Sequence, residues 1–190
     1  MNLTKTHDHI SILGTVTASF FAVESPLASL VDERLRDMFD VTPEEYADTL
    51  RALQDAGGFK RSLTRRNLVV TSGRSVLARL LAGDTTYSGA INYGALGSAS
   101  TTPVVGNTQL GTETFRKLYA NRQQSGATTT IDFYYSKGDT NGTYNEFGCF
   151  IDGTGSSNSG QMFNHVLTGG WTKSAAEAMT VSIQFDLSAS

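Results

Sequence analysis

The residues of this chain that could bind a metal are few. His7-Asp8-His9 places two imidazoles two residues apart, on one side of an extended segment. A stable zinc site needs three or four ligands, and the one other histidine of the chain is His165. The run Asp139-Thr140-Asn141-Gly142 has the composition of a calcium-loop opening, but Phe150 stands where such a loop needs its closing glutamate. We therefore predict no metal ligand and no cofactor.

Paired carboxylates that could hydrolyse a glycan are the second chemistry to weigh. The candidates are Glu113, Asp132, Glu146 and Asp152. Among 18 acidic residues some will lie together by chance, so these four do not by themselves indicate an enzyme. Cys149 lies in an apolar run without a histidine near it in sequence, which favours a buried, inert thiol over a nucleophile. The sequence therefore predicts no catalytic residues.

Two further features could bind ligands. Trp171, beside Gly169-Gly170, is expected to be a packing anchor, with sugar stacking as the alternative. The segment Phe59–Arg66 holds the dense basic cluster of the chain, namely Lys60, Arg61, Arg65 and Arg66. Aromatic residues for base stacking do not alternate with these charges, so we predict a solvated linker or a salt-bridged subunit surface rather than a nucleic-acid contact.

The composition limits the remaining possibilities. A chain of 190 residues supports one domain, or one domain with an appendage. The net charge of -3 gives no overall attraction to nucleic acid or anionic lipid. A single cysteine cannot form an internal disulfide, which favours synthesis in a cytosol. Residues 10–23 are too short and too polar for a signal peptide or a membrane span, so no membrane partner is expected.

The charge distribution divides the chain into two regions. Residues 1–82 carry ten acidic and ten basic side chains, whereas residues 83–190 carry eight and five. In the first region, residues 14–23 read as a strand. Ser25-Pro26 starts a helix that runs to about residue 39, with a stripe of Leu27, Leu30, Val31, Leu35 and Met38. Thr42-Pro43-Glu44-Glu45 caps a second helix that Gly57-Gly58 ends. We interpret residues 1–66 as a strand and a helical hairpin that form a docking region.

The second region, residues 67–190, is dominated by strand and turn signals. A strand near residues 67–71 precedes a short helix with the stripe Val76, Leu77, Leu80 and Leu81. Apolar and polar residues alternate over 130–135 and 179–187, which predicts strands with one wet face. Residues 144–151 and 161–167 add two strands, with Asn141-Gly142 as a hairpin turn. The fold class is therefore α+β, mainly β, with an antiparallel, jelly-roll-like β-sandwich as the carboxy-terminal domain.

Several short motifs in this region carry a family resemblance. They are Ala90-Ile91-Asn92-Tyr93-Gly94-Ala95-Leu96-Gly97, Thr102-Pro103, Asn107-Thr108-Gln109-Leu110, Glu113, Phe115-Arg116-Lys117, Ile131-Asp132-Phe133-Tyr134 and Asn145-Glu146-Phe147-Gly148-Cys149-Phe150. In order and spacing they resemble structural proteins of tailed-phage virions over residues 67–187. The sequence departs from that pattern at Ser98-Ala99-Ser100, where a Gly-Thr-Gly turn is commoner.

The resemblance implies a β-sandwich module in virions and no catalytic residues. The leading expectation is a non-enzymatic adaptor or fibre-attachment protein of the tail or baseplate, which binds other virion proteins and further copies of itself, as a trimer or hexamer. Such a protein is assembled in the host cytoplasm and ends in the virion. The alternatives are a capsid decoration or head-fibre base protein, and a module that binds host surface glycans through Trp171 and tyrosines.

One contact can be predicted inside the motif region. Glu146 lies in an apolar strand, where an unpaired carboxylate is costly. Glu113 and Arg116 lie three residues apart in the preceding segment. We therefore expect Arg116 to pair with Glu146 across the sheet.

Overall fold

The computed structural model describes residues 12–187, in which a mixed group of strands and helices is followed by a group of strands alone. The first group is β1 (Leu13–Ala22), α1 (Pro26–Arg36), α2 (Pro43–Gly57), β2 (Phe59–Arg66), β3 (Leu68–Val69) and α3 (Thr71–Leu81). The second group is β4 (Ile91–Gly97), β5 (Glu113–Leu118), β6 (Asn121–Ser125), β7 (Thr128–Tyr135), β8 (Gly142–Ile151), β9 (Gln161–Lys173) and β10 (Glu177–Asp186).

The strands form two antiparallel sheets of five strands each. Sheet 1 has the order β2-β1-β10-β7-β6, and sheet 2 has the order β3-β9-β8-β4-β5. The core between them is apolar and aromatic; Phe133 packs edge-on against Phe147, and Phe147 in turn contacts Trp171. The prediction of a mainly β, sandwich-like α+β fold is confirmed.

The two strands before residue 67, β1 and β2, belong to sheet 1. Strand β1 pairs along its whole length with β10 and also pairs with β2. A boundary at residue 66 therefore divides a hydrogen-bonded assembly of strands. The basic segment predicted as a linker is the edge strand β2, in which Arg61 and Leu63 are half-buried while Lys60, Arg65 and Arg66 are exposed.

Local signals predicted the starts of α1 and α2 and the end of α2 correctly, whereas α1 ends at Arg36 rather than near residue 39. The Ser25 hydroxyl accepts a hydrogen bond from the Ala28 amide, and the Thr42 hydroxyl accepts one from the Glu45 amide at 3.2 Å. Both helices have proline in the first turn, and α2 ends at Gly57 with Gly58 at a φ of 93°. A Cβ at residue 58 would be strained at that φ, so glycine suits the position.

The helical hairpin α1–α2 packs on the outer face of sheet 1. Tyr46 of α2 hydrogen bonds with the Thr180 hydroxyl at 2.5 Å, and the Tyr134 hydroxyl donates to the carboxylate of Asp32 at 2.7 Å. Because the hairpin covers this face, residues 131–135 of β7 are all buried. The expected wet face of β7 was therefore wrong, although its strand assignment is confirmed.

The buried face of α1 also differs from the predicted stripe. Ala28, Asp32 and Leu35 face the sheet, whereas Leu27 and Leu30 are 61% and 65% exposed. The hydrogen bond between Asp32 and Tyr134 sets this orientation, since it turns a polar residue inward. Two leucines on the helix surface are the consequence.

Asn141-Gly142 is not a hairpin turn. Strand β7 before it belongs to sheet 1 and strand β8 after it belongs to sheet 2, so the connection crosses between the sheets. Lys173 fixes this crossing, because its ammonium donates to the Thr140 carbonyl at 3.0 Å and to the Asn141 side-chain oxygen at 2.9 Å. Burial lowers the pKa of Lys173 to about 8.

Candidate binding surface

Two long loops cover the outer face of sheet 2. Loop A, residues 98–112, joins β4 to β5, and loop B, residues 152–160, joins β8 to β9. Both are rich in Ser, Thr and Gly. Beneath loop A lies an apolar cluster of Val70, Ala95, Leu110, Phe150 and Met162. Because a loop of this composition has little apolar surface of its own, its shape depends on what binds its backbone.

Glu146 holds both ends of loop A. One carboxylate oxygen, Oε1, accepts the amides of Ala99 at 3.2 Å and Thr112 at 2.8 Å. The other, Oε2, accepts the amide of Gly111 at 2.9 Å. The side chain is 1% exposed. A buried carboxylate thus receives three charge-assisted hydrogen bonds that fix where the loop leaves and rejoins the sheet.

His165 on β9 links Glu146 to the middle of loop A. Its Nε2 lies 2.9 Å from Oε2 of Glu146, and its Nδ1 lies 3.0 Å from Oδ1 of Asn107. Burial lowers the pKa of His165, and Glu146 acts in the opposite direction. Since both ring nitrogens are engaged, neither is left to transfer a proton to a bound molecule.

The predicted pairing of Arg116 with Glu146 was wrong. Arg116 instead forms a two-pronged ion pair with Glu113 on its own strand, with nitrogen–oxygen distances of 2.6 and 2.8 Å. Strand β4 lies between β5 and β8, and Ala95 has Arg116 opposite it on one side and Gly148 on the other. One whole strand therefore separates the strands that carry the two groups.

The pair Glu113–Arg116 orders loop B in the way that Glu146 orders loop A. Arg116 donates to the carbonyls of Thr154 and Ser159 at 3.0 and 3.1 Å, and Glu113 accepts the Asn158 amide at 3.0 Å. The two side chains are 4% and 1% exposed. The guanidinium also lies 4.7 Å from the centre of the Phe150 ring. Loop B is thus fixed by a desolvated ion pair.

The tip of loop A presents apolar side chains. Val104 and Val105 are 56% and 50% exposed. The tip is nevertheless anchored, because the Val105 carbonyl accepts the Thr71 amide at 2.7 Å and Asn107 accepts the Val104 amide at 2.8 Å. The loops therefore form an ordered, largely uncharged surface with an exposed apolar patch at Val104 and Val105.

The other chemistry-bearing residues are dispersed or buried. Cys149 is fully buried, and burial raises the pKa of its thiol well above the ordinary value. Asp132 is on sheet 1 and accepts from the Asn121 amide group at 2.8 Å, while Asp152 accepts from Ser88. Trp171 is 0% exposed, which confirms a packing anchor and removes it as a sugar-stacking platform.

Within residues 12–187, no group of three or more His, Cys, Asp and Glu side chains is arranged to hold a metal ion. His7-Asp8-His9 lies outside the described residues. None of the helices in the described range is long and apolar enough to cross a membrane.

The basic strand β2 is partly neutralised within the chain. Arg61 stacks on the ring of Phe20 at 3.8 Å and donates to Glu177 at 2.6 Å, and Lys60 lies 3.7 Å from the same carboxylate. Arg61 also donates to the Thr172 carbonyl on β9, so it ties the edges of the two sheets together. Half of the cluster therefore has a structural role, while Arg65 and Arg66 face outward.

An apolar groove runs along α3 at one end of the sandwich. Its volume is about 600 Å³, and its lining includes Ile12, Leu77, Leu80, Leu81 and Leu187. Leu81 is 91% exposed. The sequence predicted Leu81 as part of the apolar stripe of this helix, and the structure places it at the last residue of α3.

Sequence reasoning missed His165 as the partner of Glu146 and Asn107 as the second partner of His165. The available signal was weak: His165 interrupts an apolar run in β9, as Glu146 does in β8. Two ionisable residues in neighbouring apolar strands each need a partner. Comparison of the chain with protein-family models, curated proteins and solved structures finds no match.

Proposed function

We propose that this protein is a non-enzymatic structural component of a phage virion, an adaptor or fibre-attachment protein of the tail or baseplate that acts through protein–protein contacts. The observation that carries the proposal is the use of charge on the outer face of sheet 2. Glu146, Glu113 and Arg116 direct hydrogen bonds to the backbones of loops A and B, and His165 bonds to the side chains of Glu146 and Asn107, so this face provides a defined shape rather than a reactive group.

A shape of this kind suits contact with another protein. Protein interfaces combine an apolar centre with a polar rim that satisfies hydrogen bonds, and charged residues are depleted at the centre. Loops A and B offer this pattern, with Val104 and Val105 surrounded by Ser, Thr and Gly. The ordering of both loops lowers the entropy lost when a partner binds.

The helical hairpin provides a second surface. Leu27 and Leu30 lie exposed on α1, which packs on sheet 1, whereas loops A and B are held by residues of sheet 2. A protein with contact surfaces on both sheets can join two components, which is what an adaptor does. We therefore assign the hairpin to docking on the particle and the loops to contact with further copies, a fibre or another virion protein.

Copy number in purified particles tests the location. Quantitative mass spectrometry is expected to find the chain at three, six or twelve copies per virion. Hundreds of copies would contradict the tail assignment and support the alternative, a capsid decoration or head-fibre base protein. Absence from washed particles would contradict both.

Self-association is tested separately by light scattering of the purified chain. We expect a trimer or hexamer. Its further partners would be other particle proteins rather than nucleic acid or membrane. A host-glycan module remains a weaker alternative, because Trp171 is buried and cannot contact a sugar. Glycan-array binding that survives Val104→Ser and Val105→Ser would support that alternative over the protein-contact proposal.

A further inference from the structure

The two contacts of His165 require two ring protons, whereas a neutral imidazole holds one. Its Nδ1 faces Oδ1 of Asn107, and its Nε2 faces Oε2 of Glu146. Both partners are oxygen atoms that accept hydrogen bonds. Each of the two contacts therefore needs its own proton.

The orientation of Asn107 does not remove this requirement. If its amide were turned, the NH₂ group would face Nδ1 and could donate to a neutral ring. The Oδ1 atom, however, already accepts the Val104 amide at 2.8 Å. Turning the amide would place NH₂ against that N–H, so the orientation in the structure is fixed by the backbone of loop A.

We propose that loop A is held by a proton-dependent latch, in which one proton lies between Glu146 and His165 and a second joins His165 to Asn107. The first proton lies on Nε2, because Glu146 accepts the amides of Ala99, Thr112 and Gly111 as a carboxylate. When pH rises and one of the two ring protons leaves to solvent, the ring can satisfy only one of its two oxygen partners.

Loss of this proton affects the middle of loop A. A neutral ring keeps its remaining proton toward the carboxylate, which is the stronger acceptor, and Nδ1 then faces Oδ1 of Asn107 with two lone pairs opposed. Asn107 must move, and it carries the Val104 amide with it. Loop A is therefore tightly seated at lower pH and loosens at Val104–Asn107 as pH rises.

Other charges near the ring do not replace the proton. Residues 98–112 contain no ionisable side chain, and Leu68 is the residue of β3 opposite His165. The charged residues on the neighbouring strands are engaged elsewhere. Glu113 is paired with Arg116, and Arg61 is paired with Glu177. Arg65 lies against Gly169, farther along β9. On α3, Arg74 lines the apolar groove and Arg79 is paired with Asp84. Among the described residues, Glu146 is the one charged group hydrogen bonded to the imidazole.

Nitrogen-15 NMR of the full chain, recorded from pH 4 to 9, tests the latch. Nδ1 is expected to be protonated at the acidic end and to lose its proton in the same pH step in which the Val104 and Asn107 amides broaden or shift. Asn107→Asp places a carboxylate against Nδ1–H and is expected to move that step upward by about one pH unit or more. Asn158→Asp, in loop B, adds the same charge away from the ring and is expected to leave the step in place.

Two results would overturn the inference. One is an Nδ1 that stays unprotonated throughout the range in the folded protein. The other is a transition that Asn107→Asp and Asn158→Asp shift equally. Neither depends on which partner the loops bind, so the latch and the proposed virion role can fail independently.

Discussion

Glu146 and His165 meet across two neighbouring strands of sheet 2, with 2.9 Å between Oε2 and Nε2, and both are almost completely buried. Each connects to loop A through a separate set of contacts, Glu146 at the two ends of the loop and His165 near its middle. The loop is thus bound to the sheet at three places by one pair of side chains. These polar contacts add to the burial of Leu110 in the apolar cluster under the loop.

Glu146→Gln is expected to weaken the fold. The glutamine has a similar size, but its NH₂ group must face one of the three amides or the imidazole, so at least one buried donor loses its acceptor. We expect a loss of about 2–4 kcal/mol in the free energy of unfolding, measured with urea. Asp48→Asn, which breaks an exposed ion pair with Arg51, is the matched control and should cost less than about 1 kcal/mol. Equal effects of the two changes would contradict this role of Glu146.

Arg116→Lys is expected to release loop B. A lysine ammonium is a single point of charge and cannot contact both oxygens of Glu113 and the carbonyls of Thr154 and Ser159 together. Limited proteolysis should then cut within residues 152–160 faster than in the unaltered protein, while loop A keeps its resistance. Arg51→Lys, at an exposed ion pair, should leave cleavage of both loops unchanged. Unaltered cleavage of loop B in Arg116→Lys would show that Glu113 and the loop sequence suffice to hold it.

Gly97→Ala tests the close packing around the carboxylate. A Cβ at residue 97 would lie 2.4 Å from Oε1 of Glu146 and 2.7 Å from the Thr112 carbonyl oxygen. Either the carboxylate or the start of β5 must move, and we expect a loss of about 1–3 kcal/mol. Gly106→Ala is the control, since a Cβ there has no neighbour within 4 Å. If both alanine variants unfold at the same urea concentration, the end of loop A can shift without cost.

Periodicity and capping signals predicted the elements of this fold because both act over a few residues. The strand signal in 179–187 and the caps at Ser25 and Thr42 depend on neighbours in sequence, and the structure confirms strand β10 and both caps. The wet face expected for β10 is only partly present, because Thr180 is buried against Tyr46. The burial of the face of β7 that was expected to be wet could not be predicted from neighbours in sequence. It arises from a helical hairpin much earlier in the chain, joined to β7 through Asp32 and Tyr134, which lie 102 residues apart.

The pairing of charges failed for a related reason. The sequence correctly indicated that Glu146 needs a partner, but the choice of partner depends on strand order. Arg116 cannot pair with Glu146 because β4 lies between the strand of Arg116 and β8. His165 can pair with Glu146 because β9 adjoins β8 on the other side. No periodic pattern encodes that order, so the prediction could identify the need but not the residue that meets it.

Acid is expected to weaken the contact between Arg61 and Glu177. Burial raises the pKa of Glu177, but hydrogen bonds from Arg61 and the Ser174 amide outweigh it and bring the pKa down to about 2 from the ordinary 4.5. Between these values the unfolded chain binds more protons than the folded one, so stability falls as pH decreases. The contribution of this group is present above about pH 4.5 and is lost as pH falls toward about 2.

Arg61→Met isolates this contribution. It keeps an unbranched side chain over Phe20 but removes the hydrogen bonds that lower the pKa of Glu177, so the pKa should rise toward or above its ordinary value. Urea midpoints measured from pH 5 to pH 2.5 should then decline less steeply than in the unaltered protein. Arg66→Met removes one positive charge from the same strand without touching Glu177 and should keep the original slope. If both variants flatten the profile alike, the acid sensitivity reflects the net charge of β2 and not the pairing of Arg61 with Glu177.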